Sequence, residues 1–414
     1  MEQPFAAKDS RTSATIARDL NRGRVLGTKL NYVSLLRNYF NYCLEHDEDP
    51  FKPYIDPVVA IHWMYHQTMR LGSCNSRSTW SATLSWWVWL HGRKATFFKN
   101  GLYRRVWEVM VTLYTIPRKP RLPMRLEWVV NYLKFLGVTP DTWHKVALQS
   151  LTIALFYILL FLTISRPAEL LFTNSTEDET IEIITTGLRW KDLTFHNMDQ
   201  SRYAQYISLE IHWFKNQQHR NQSKIIDMQS PLCRNKDCKC KYLDFIAILR
   251  TLKQRRDALI IELGYIKRQN GFLNKKQQKQ FDNLKTEMND YILVGGDGKR
   301  WTPPHMRPIM KHFQQVIGME FPERFPLYCV RIGAMSRVNQ QKMDLLKVLR
   351  YVAWSVSNLP HVSNRYVNFK SEDLRTIPFE IIHGALDKNG VRKDYSHTPL
   401  STFDLASTKD IMFN

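Results

Sequence analysis

The stretch from residue 328 to residue 366 combines charged and aromatic side chains at a spacing that packing alone does not require. Arg331 opens an apolar helical pattern, Trp354 ends a second one, and Tyr366 follows a short way downstream. A guanidinium fork binds phosphate oxygens, an indole N–H donates to them, and a tyrosine hydroxyl is a nucleophile. Together these residue types suit chemistry on a phosphodiester.

Other candidate cations lie earlier in the chain. Arg166 follows the apolar stretch 146–164 in ISRPAELLFT, and Glu169 lies one turn away, where it can hold the guanidinium in position. An ordinary helical ion pair explains these two residues alone equally well. Lys215 ends the first strand of a predicted hairpin, and Lys224 across the turn is the second choice.

In this order the residues resemble the active site of the tyrosine recombinases, the phage-integrase family. That family has an arginine box, a hairpin lysine, a His-x-x-Arg motif, a His or Trp at a helix end, and a nucleophilic tyrosine. The residues that carry the resemblance are Arg166, Glu169, Lys215, Tyr328, Arg331, Trp354 and Tyr366. Tyr328 stands where the family has histidine.

The resemblance implies a recombinase or integrase of a mobile element, eukaryotic or viral, that needs no metal, ATP or other cofactor. Tyr366 would attack the phosphorus and form a 3′-phosphotyrosyl link. Arg166 and Arg331 would neutralise the phosphorane charge. Trp354 would donate to a phosphate oxygen, and Lys215 would protonate the leaving 5′-oxygen.

Two tyrosines leave alternatives open. A phenol donates a hydrogen bond but exchanges protons too poorly near neutral pH to replace imidazole. Tyr328 therefore either contacts the phosphate as a neutral donor or supports Arg331 by packing. Tyr351 is the alternative nucleophile to Tyr366.

The charge of the chain favours a polyanionic partner. Its 59 Lys and Arg residues exceed its 38 Asp and Glu residues, so the formal net charge is +21. A surplus of this size, together with many aromatic residues, fits phosphate contacts better than solubility alone. We expect double-stranded DNA as the partner, and the resemblance implies self-association on DNA as a dimer to tetramer.

Cysteine usage and hydropathy bear on compartment, metals and membranes. Six scattered cysteines and no opening signal peptide predict a reducing compartment: nuclear if the source is eukaryotic, otherwise cytoplasmic, and not secreted. Cys233, Cys238 and Cys240 lack a C-x-x-C spacing and a nearby histidine pair, so we predict no metal site, with zinc as the alternative. Polar residues within 146–164 favour a buried helix over a membrane span.

The first part of the chain predicts a helical domain. Residues 1–25 have no apolar period and are interpreted as a flexible arm, whereas apolar residues recur at helical spacing over 26–115. The resemblance identifies 26–115 as the core-binding domain that clamps DNA. The basic residues of its second half are expected on the surface, along the phosphates of DNA: Arg93, Lys94, Lys99, Arg104 and Arg105. Its tryptophans are expected mostly in the core: Trp80, Trp86, Trp87 and Trp89.

The remainder predicts a second domain with helices and a small sheet. A proline-rich basic linker over 116–126 precedes a catalytic domain over 127–385, and 386–414 form a tail. Within the domain, 251–290 read as a polar helical insertion of two helices around Asn270–Gly271. The predicted fold class is mainly α with a small antiparallel β-sheet (α+β).

The functional prediction is therefore a site-specific DNA recombinase that cleaves and rejoins strands. A type IB topoisomerase has similar catalytic residues and is the first alternative. A DNA-binding protein that keeps the fold but has impaired catalysis is the second.

Overall fold

The computed structural model describes residues 26–51, 54–91, 93–116, 121–172, 187–198, 204–211, 224–283, 290–351 and 374–384. The chain separates into two compact units, residues 1–119 and 120–414. Helices dominate both, and one three-stranded antiparallel sheet lies in the second. This confirms the predicted α+β class.

Four α-helices build the first unit over the residues described there. They are α1 (Leu26–Glu45), α2 (Pro57–Leu71), α3 (Arg77–Leu90) and α4 (Gly101–Tyr114). Local signals fix the limits of α2: the Asp56 side chain accepts from the Val58 N–H at its start, and Gly72 adopts a left-handed φ of 65° at its end.

Aromatic side chains fill the core of the first unit. Trp63 and Trp80 are fully buried, and Tyr39 packs edge-on against Trp63 with ring centroids 5.3 Å apart. Of the four tryptophans predicted mostly in the core, Trp80 and Trp86 are buried, Trp87 is half-buried against the core, and Trp89 is more than one-third exposed. The expectation is confirmed for all but Trp89.

The second unit is organised around one apolar helix. Its helices are α5 (Leu126–Phe135), α6 (Leu148–Leu162), α7 (Pro167–Leu170), α8 (Phe245–Asn270), α9 (Lys275–Asn283), α10 (Pro303–Ile317), α11 (Cys329–Gln340), α12 (Leu345–Tyr351) and α13 (Ile377–His383). Every residue of α6 from 151 to 162 is buried, which confirms the predicted buried helix. None of the helices in the described part of the chain is long and apolar enough to cross a membrane.

The sheet has the order β1–β2–β3, with β1 at Leu193–Met198, β2 at Ala204–Ile211 and β3 at Lys224–Gln229. Strands β2 and β3 form the predicted hairpin, and Ile211 lies opposite Lys224. Just before β1, Arg189 forms an isolated antiparallel bridge with Tyr291.

The predicted insertion over 251–290 differs from the structure at its start. Helix α8 begins at Phe245, and its first half packs on α6 as part of the core. The side chain of Arg256, 3% exposed, donates to the carbonyls of Tyr291 and Ile292. The many polar residues of 251–290 gave the segment a low average hydrophobicity, which concealed the apolar face of its first helix in the sequence. The expected helix break is present, since α8 ends at Asn270 and Gly271 has a φ of 70°.

Residues 121–126, expected in the linker, belong to the second unit. The Leu122 N–H donates to the Arg324 carbonyl at 3.2 Å, and the Met124 N–H donates to the Cys329 carbonyl at 3.1 Å. Met124 is 1% exposed. A Cβ on Gly333 would come within 1.8 Å of the Met124 carbonyl oxygen. Glycine at 333 therefore allows this segment to lie directly against α11.

Gly333→Ala should destabilise the second unit strongly, because the methyl group would meet backbone that cannot rotate away. We expect the free energy of unfolding to fall by about 3 kcal/mol or more, at the upper end for overpacking. Urea denaturation measures it. Gly101→Ala is the matched control, since nothing lies within 4 Å of a Cβ there and alanine favours a helix. Equal stability of the two variants would contradict the close contact.

Candidate functional site

Arg166 and Glu169 form a compact pair at the end of α6. Pro167 starts the short helix α7, and Arg166 precedes it in an extended conformation. The Glu169 carboxylate accepts from the Arg166 N–H at 2.9 Å through Oε2 and from its guanidinium Nη1 at 2.8 Å through Oε1. Glu169 is buried, whereas about one-third of the Arg166 side chain is exposed. The carboxylate thus holds a partly accessible guanidinium in a fixed position.

Arg331 brings a second guanidinium to the same place. It lies in the first turn of α11 and is 2% exposed. Burial lowers the pKa of the Arg331 guanidinium, the charge of Arg166 lowers it further, and the charge of Glu169 raises it. An arginine remains protonated at physiological pH even so. Two cations therefore share the field of one buried carboxylate.

Tyr328 contributes its ring to this site. The centroid of the ring lies 5.8 Å from the Arg331 guanidinium carbon and 5.4 Å from that of Arg121. These distances are typical of cation–π contacts. Tyr328 is half-buried at the start of α11. The contacts favour a packing role beside Arg331, and Arg121 is a neighbour that the sequence pattern did not indicate.

Tyr351 anchors the end of α12 to the end of α6. It is 2% exposed, and its hydroxyl donates to the Leu162 carbonyl at 3.2 Å. Burial raises the pKa of Tyr351 well above its ordinary value. Carbonyls in the last turn of a helix need such external donors. A buried, hydrogen-bonded phenol is a poor nucleophile, so the geometry disfavours Tyr351 in that role.

Further residues were predicted for this site. Lys215, Trp354 and Tyr366 lie outside the described residues, and their roles stay predictions. Lys224, the second choice for the lysine, is the first residue of β3. Within the described chain the site consists of Arg166, Glu169, Arg331 and Tyr328, with Arg121 and Tyr351 beside it.

A basic surface lies on the first unit. The side chains named from the sequence are all exposed: Arg93, Lys94, Lys99, Arg104 and Arg105. They lie between the end of α3 and the first turn of α4. We call these five residues the basic surface of the first unit.

A second group of side chains, in the second unit, could bind a metal; sequence reasoning considered its three cysteines but not its histidine. Cys233, Cys238 and Cys240 lie together with His383, and their four ligand atoms are within 4.8 Å of one another. The prediction of no metal site considered neighbours in sequence, whereas His383 lies in the last described helix. An odd set of three cysteines without a fourth ligand was the available signal.

No protein-family model matches this chain, and no curated protein matches it. The functional interpretation of the chain therefore depends on the residues around Arg166 and Arg331, on the cysteine–histidine group, and on the order in which the candidate residues occur in the sequence.

Glu169→Gln tests the role of the shared carboxylate. Loss of its charge leaves Arg166 and Arg331 to repel each other around a neutral amide, and we expect a loss of about 2 to 3 kcal/mol in the free energy of unfolding. Urea denaturation measures it. The control is Glu127→Gln, because Glu127 is 47% exposed and 3.9 Å from Arg337, so the change should be below about 0.5 kcal/mol. Similar values for both variants would show that the carboxylate is not a shared counter-charge.

Proposed function

We propose that this protein is a tyrosine recombinase that cleaves and rejoins double-stranded DNA through a 3′-phosphotyrosyl intermediate. One observation carries the proposal. Arg166 and Arg331, far apart in sequence, lie in the field of the same carboxylate, Glu169. Two positioned guanidinium groups suit the phosphorane that forms when a phosphodiester is attacked.

The two arginines differ in access. Arg166 keeps guanidinium N–H groups beyond the one bonded to Glu169, and about one-third of its side chain is exposed. It is the residue to which a phosphate would bind first. Arg331 is 2% exposed, so a phosphate contact there requires displacement of the groups that cover it.

The nucleophile in this proposal is Tyr366, between two described residues that both pack in the core. Tyr351 bonds to the end of α6, and Leu374 packs against the same core. Tyr351, the last described residue before Tyr366, therefore lies at the helix end that Arg166 follows. Trp354 would donate to a phosphate oxygen, and Lys215 would protonate the leaving oxygen, as the resemblance implies.

The partners follow from charge and from the resemblance. A net charge of +21 and the basic surface of the first unit support binding along a DNA backbone. Self-association on DNA, as a dimer to tetramer, would bring two cleaved strands together. The chemistry needs no cofactor, and the enzyme would act in the nucleus of a eukaryote or otherwise in the cytoplasm.

Tyr328 favours a second candidate function, DNA binding without strand cleavage. Its ring lies within cation–π distance of Arg331, and a phenol supplies no imidazole for proton transfer. A type IB topoisomerase would use the same chemistry but would relax supercoiled plasmid without joining a second DNA. Covalent trapping separates the binding protein from both enzymes, and plasmid relaxation separates the two enzymes.

Tyr366→Phe should abolish covalent attachment to DNA and leave DNA affinity nearly unchanged, because it removes one oxygen and no positive charge. A pool of nicked duplexes with randomised sequence serves as the suicide substrate, since the cleaved short strand diffuses away and the adduct accumulates. A labelled, protease-sensitive band in denaturing gels measures it.

Tyr351→Phe is the matched control. It should retain the adduct, but it leaves the Leu162 carbonyl without its donor and should cost about 1 to 3 kcal/mol in stability. An adduct with Tyr366→Phe but none with Tyr351→Phe would reverse the assignment of the nucleophile. DNA binding with no adduct from the unsubstituted protein would favour the second candidate.

DNA affinity should fall steeply with salt, by about 0.9 log units per phosphate contact for each tenfold rise in concentration. The Arg104→Ala/Arg105→Ala variant should lower this slope by up to about 2, since both residues belong to the basic surface. Fluorescence anisotropy over a salt series measures it. Lys275→Ala/Lys276→Ala removes the same charge from exposed residues of α9 and is the control. Equal slopes for the two variants would remove the basic surface from the DNA interface.

A further inference from the structure

A cluster of metal-ligating side chains lies in the second unit, apart from the residues of the proposed active site. It joins the segment after β3 to the last residue of α13. The four ligand atoms of Cys233, Cys238, Cys240 and His383 are within 4.8 Å of one another. The sulfur atoms of Cys233 and Cys240 are 3.6 Å apart. The Sγ atom of Cys238 lies within 4.8 Å of each of the other three ligand atoms.

We propose that Cys233, Cys238, Cys240 and His383 bind one structural zinc ion. A tetrahedral zinc ion with Zn–S distances of about 2.3 Å and a Zn–N distance of about 2.0 Å places its ligand atoms about 3.5 to 3.8 Å apart. The observed sulfur separation has that size. Three thiolates and one imidazole form a common structural set, and they leave no open position for a substrate.

The surroundings of the cluster suit a closed metal site. Cys233, Cys240 and His383 are 6%, 1% and 3% exposed, and Cys238 is half-buried. The Nε2 atom of His383 is 2.9 Å from the Pro231 carbonyl. A ring that donates from Nε2 keeps its lone pair on Nδ1, the atom that would bind zinc. Backbone carbonyls orient many metal-binding histidines in this way.

The loop between the cysteines has a geometry that converges their side chains. The Cys238 N–H donates to the Asn235 carbonyl at 3.1 Å, and the Asp237 N–H donates to the Asn235 side chain at 2.9 Å. Cys240 lies at the start of the 3₁₀ helix Lys239–Leu243. A turn followed by a helical turn thus replaces the C-x-x-C spacing. Exposed Lys236 and Lys239 offset the net negative charge of a zinc ion with three thiolates.

Two simpler explanations fit less well. The first is that the cysteines are ordinary apolar residues of the core. That explanation does not account for the imidazole of His383, which lies with all three thiols. A disulfide would join two sulfurs and leave the third thiol and the imidazole unused. At 3.6 Å, the sulfurs of Cys233 and Cys240 are far beyond the bonded distance of about 2.05 Å.

The zinc ion would fix α13 in place. This helix has seven residues, too few to be stable alone, and it is already bonded to its neighbours through Lys347–Glu380 and through Arg337 to the carbonyls of Ile381 and Ile382. A metal crosslink from 240 to 383 closes the loop of chain that contains Tyr366. The inference concerns structure and zinc content, and it holds whether or not the protein cleaves DNA.

The test uses the full chain, expressed in zinc-supplemented medium and purified without chelators. Elemental analysis by inductively coupled plasma mass spectrometry should find about one zinc ion per chain. A strong chelator should lower the melting temperature of the protein, and addition of zinc chloride should restore it. Cobalt substitution should produce the visible absorption bands of tetrahedral cobalt with thiolate ligands. Protein that lacks zinc, ignores the chelator and shows no such bands overturns the proposal.

Variants localise the ion. His383→Gln should weaken zinc affinity at least about 100-fold, more than loss of an outer-shell partner does. Cys74→Ser is the control, because Cys74 is a buried free cysteine of the first unit, and this variant should retain its zinc. Full zinc binding by His383→Gln, or a mass lower by two hydrogens in metal-free protein because of a disulfide, counts against the site. Because DNA binding and adduct formation are not read out here, a negative result leaves the recombinase proposal standing.

Discussion

A helix that is apolar on every side has to be covered on every side, and α6 imposes this constraint on the second unit. Its residues from 151 to 162 are all buried. Helices α8 and α11 provide most of the cover, and α5 and α13 also pack against it. These elements come from distant parts of the chain. Burial of this one apolar helix therefore brings together residues, distant in sequence, that could do chemistry only when they are close to one another.

Polar groups concentrate where that apolar helix ends. The last turn of α6 leaves carbonyls that need donors, and Tyr351 supplies one at Leu162. The chain then turns at Arg166, which pairs with Glu169, and the same carboxylate partly offsets the charge of Arg331. A buried carboxylate with two guanidinium groups costs desolvation, which a purely apolar core would avoid.

Sequence patterns predicted much of this arrangement, and the failures have identifiable physical causes. The buried helix, the hairpin and the break at Asn270–Gly271 are local features, and each was confirmed. The first half of α8 was assigned to an insertion because its polar residues outweighed the single apolar face that packs on α6. The three cysteines were considered as zinc ligands, but His383 was missed because spacing rules detect ligands close in sequence, whereas His383 joins the cysteines only through the packing of α13.

The contact between Met124 and Gly333 decides where the chain can be divided. A fragment that began at Arg125 would lack both the buried Met124 side chain and the N–H groups that bond to Arg324 and Cys329. Those carbonyls lie just before and at the start of the helix that carries Arg331. On the other side, Ile116 accepts a hydrogen bond from Asn75 of the first unit. The boundary between the two units therefore falls between residues 116 and 121, and a fragment that began a few residues later would lose backbone hydrogen bonds to the segment that leads into the helix of Arg331.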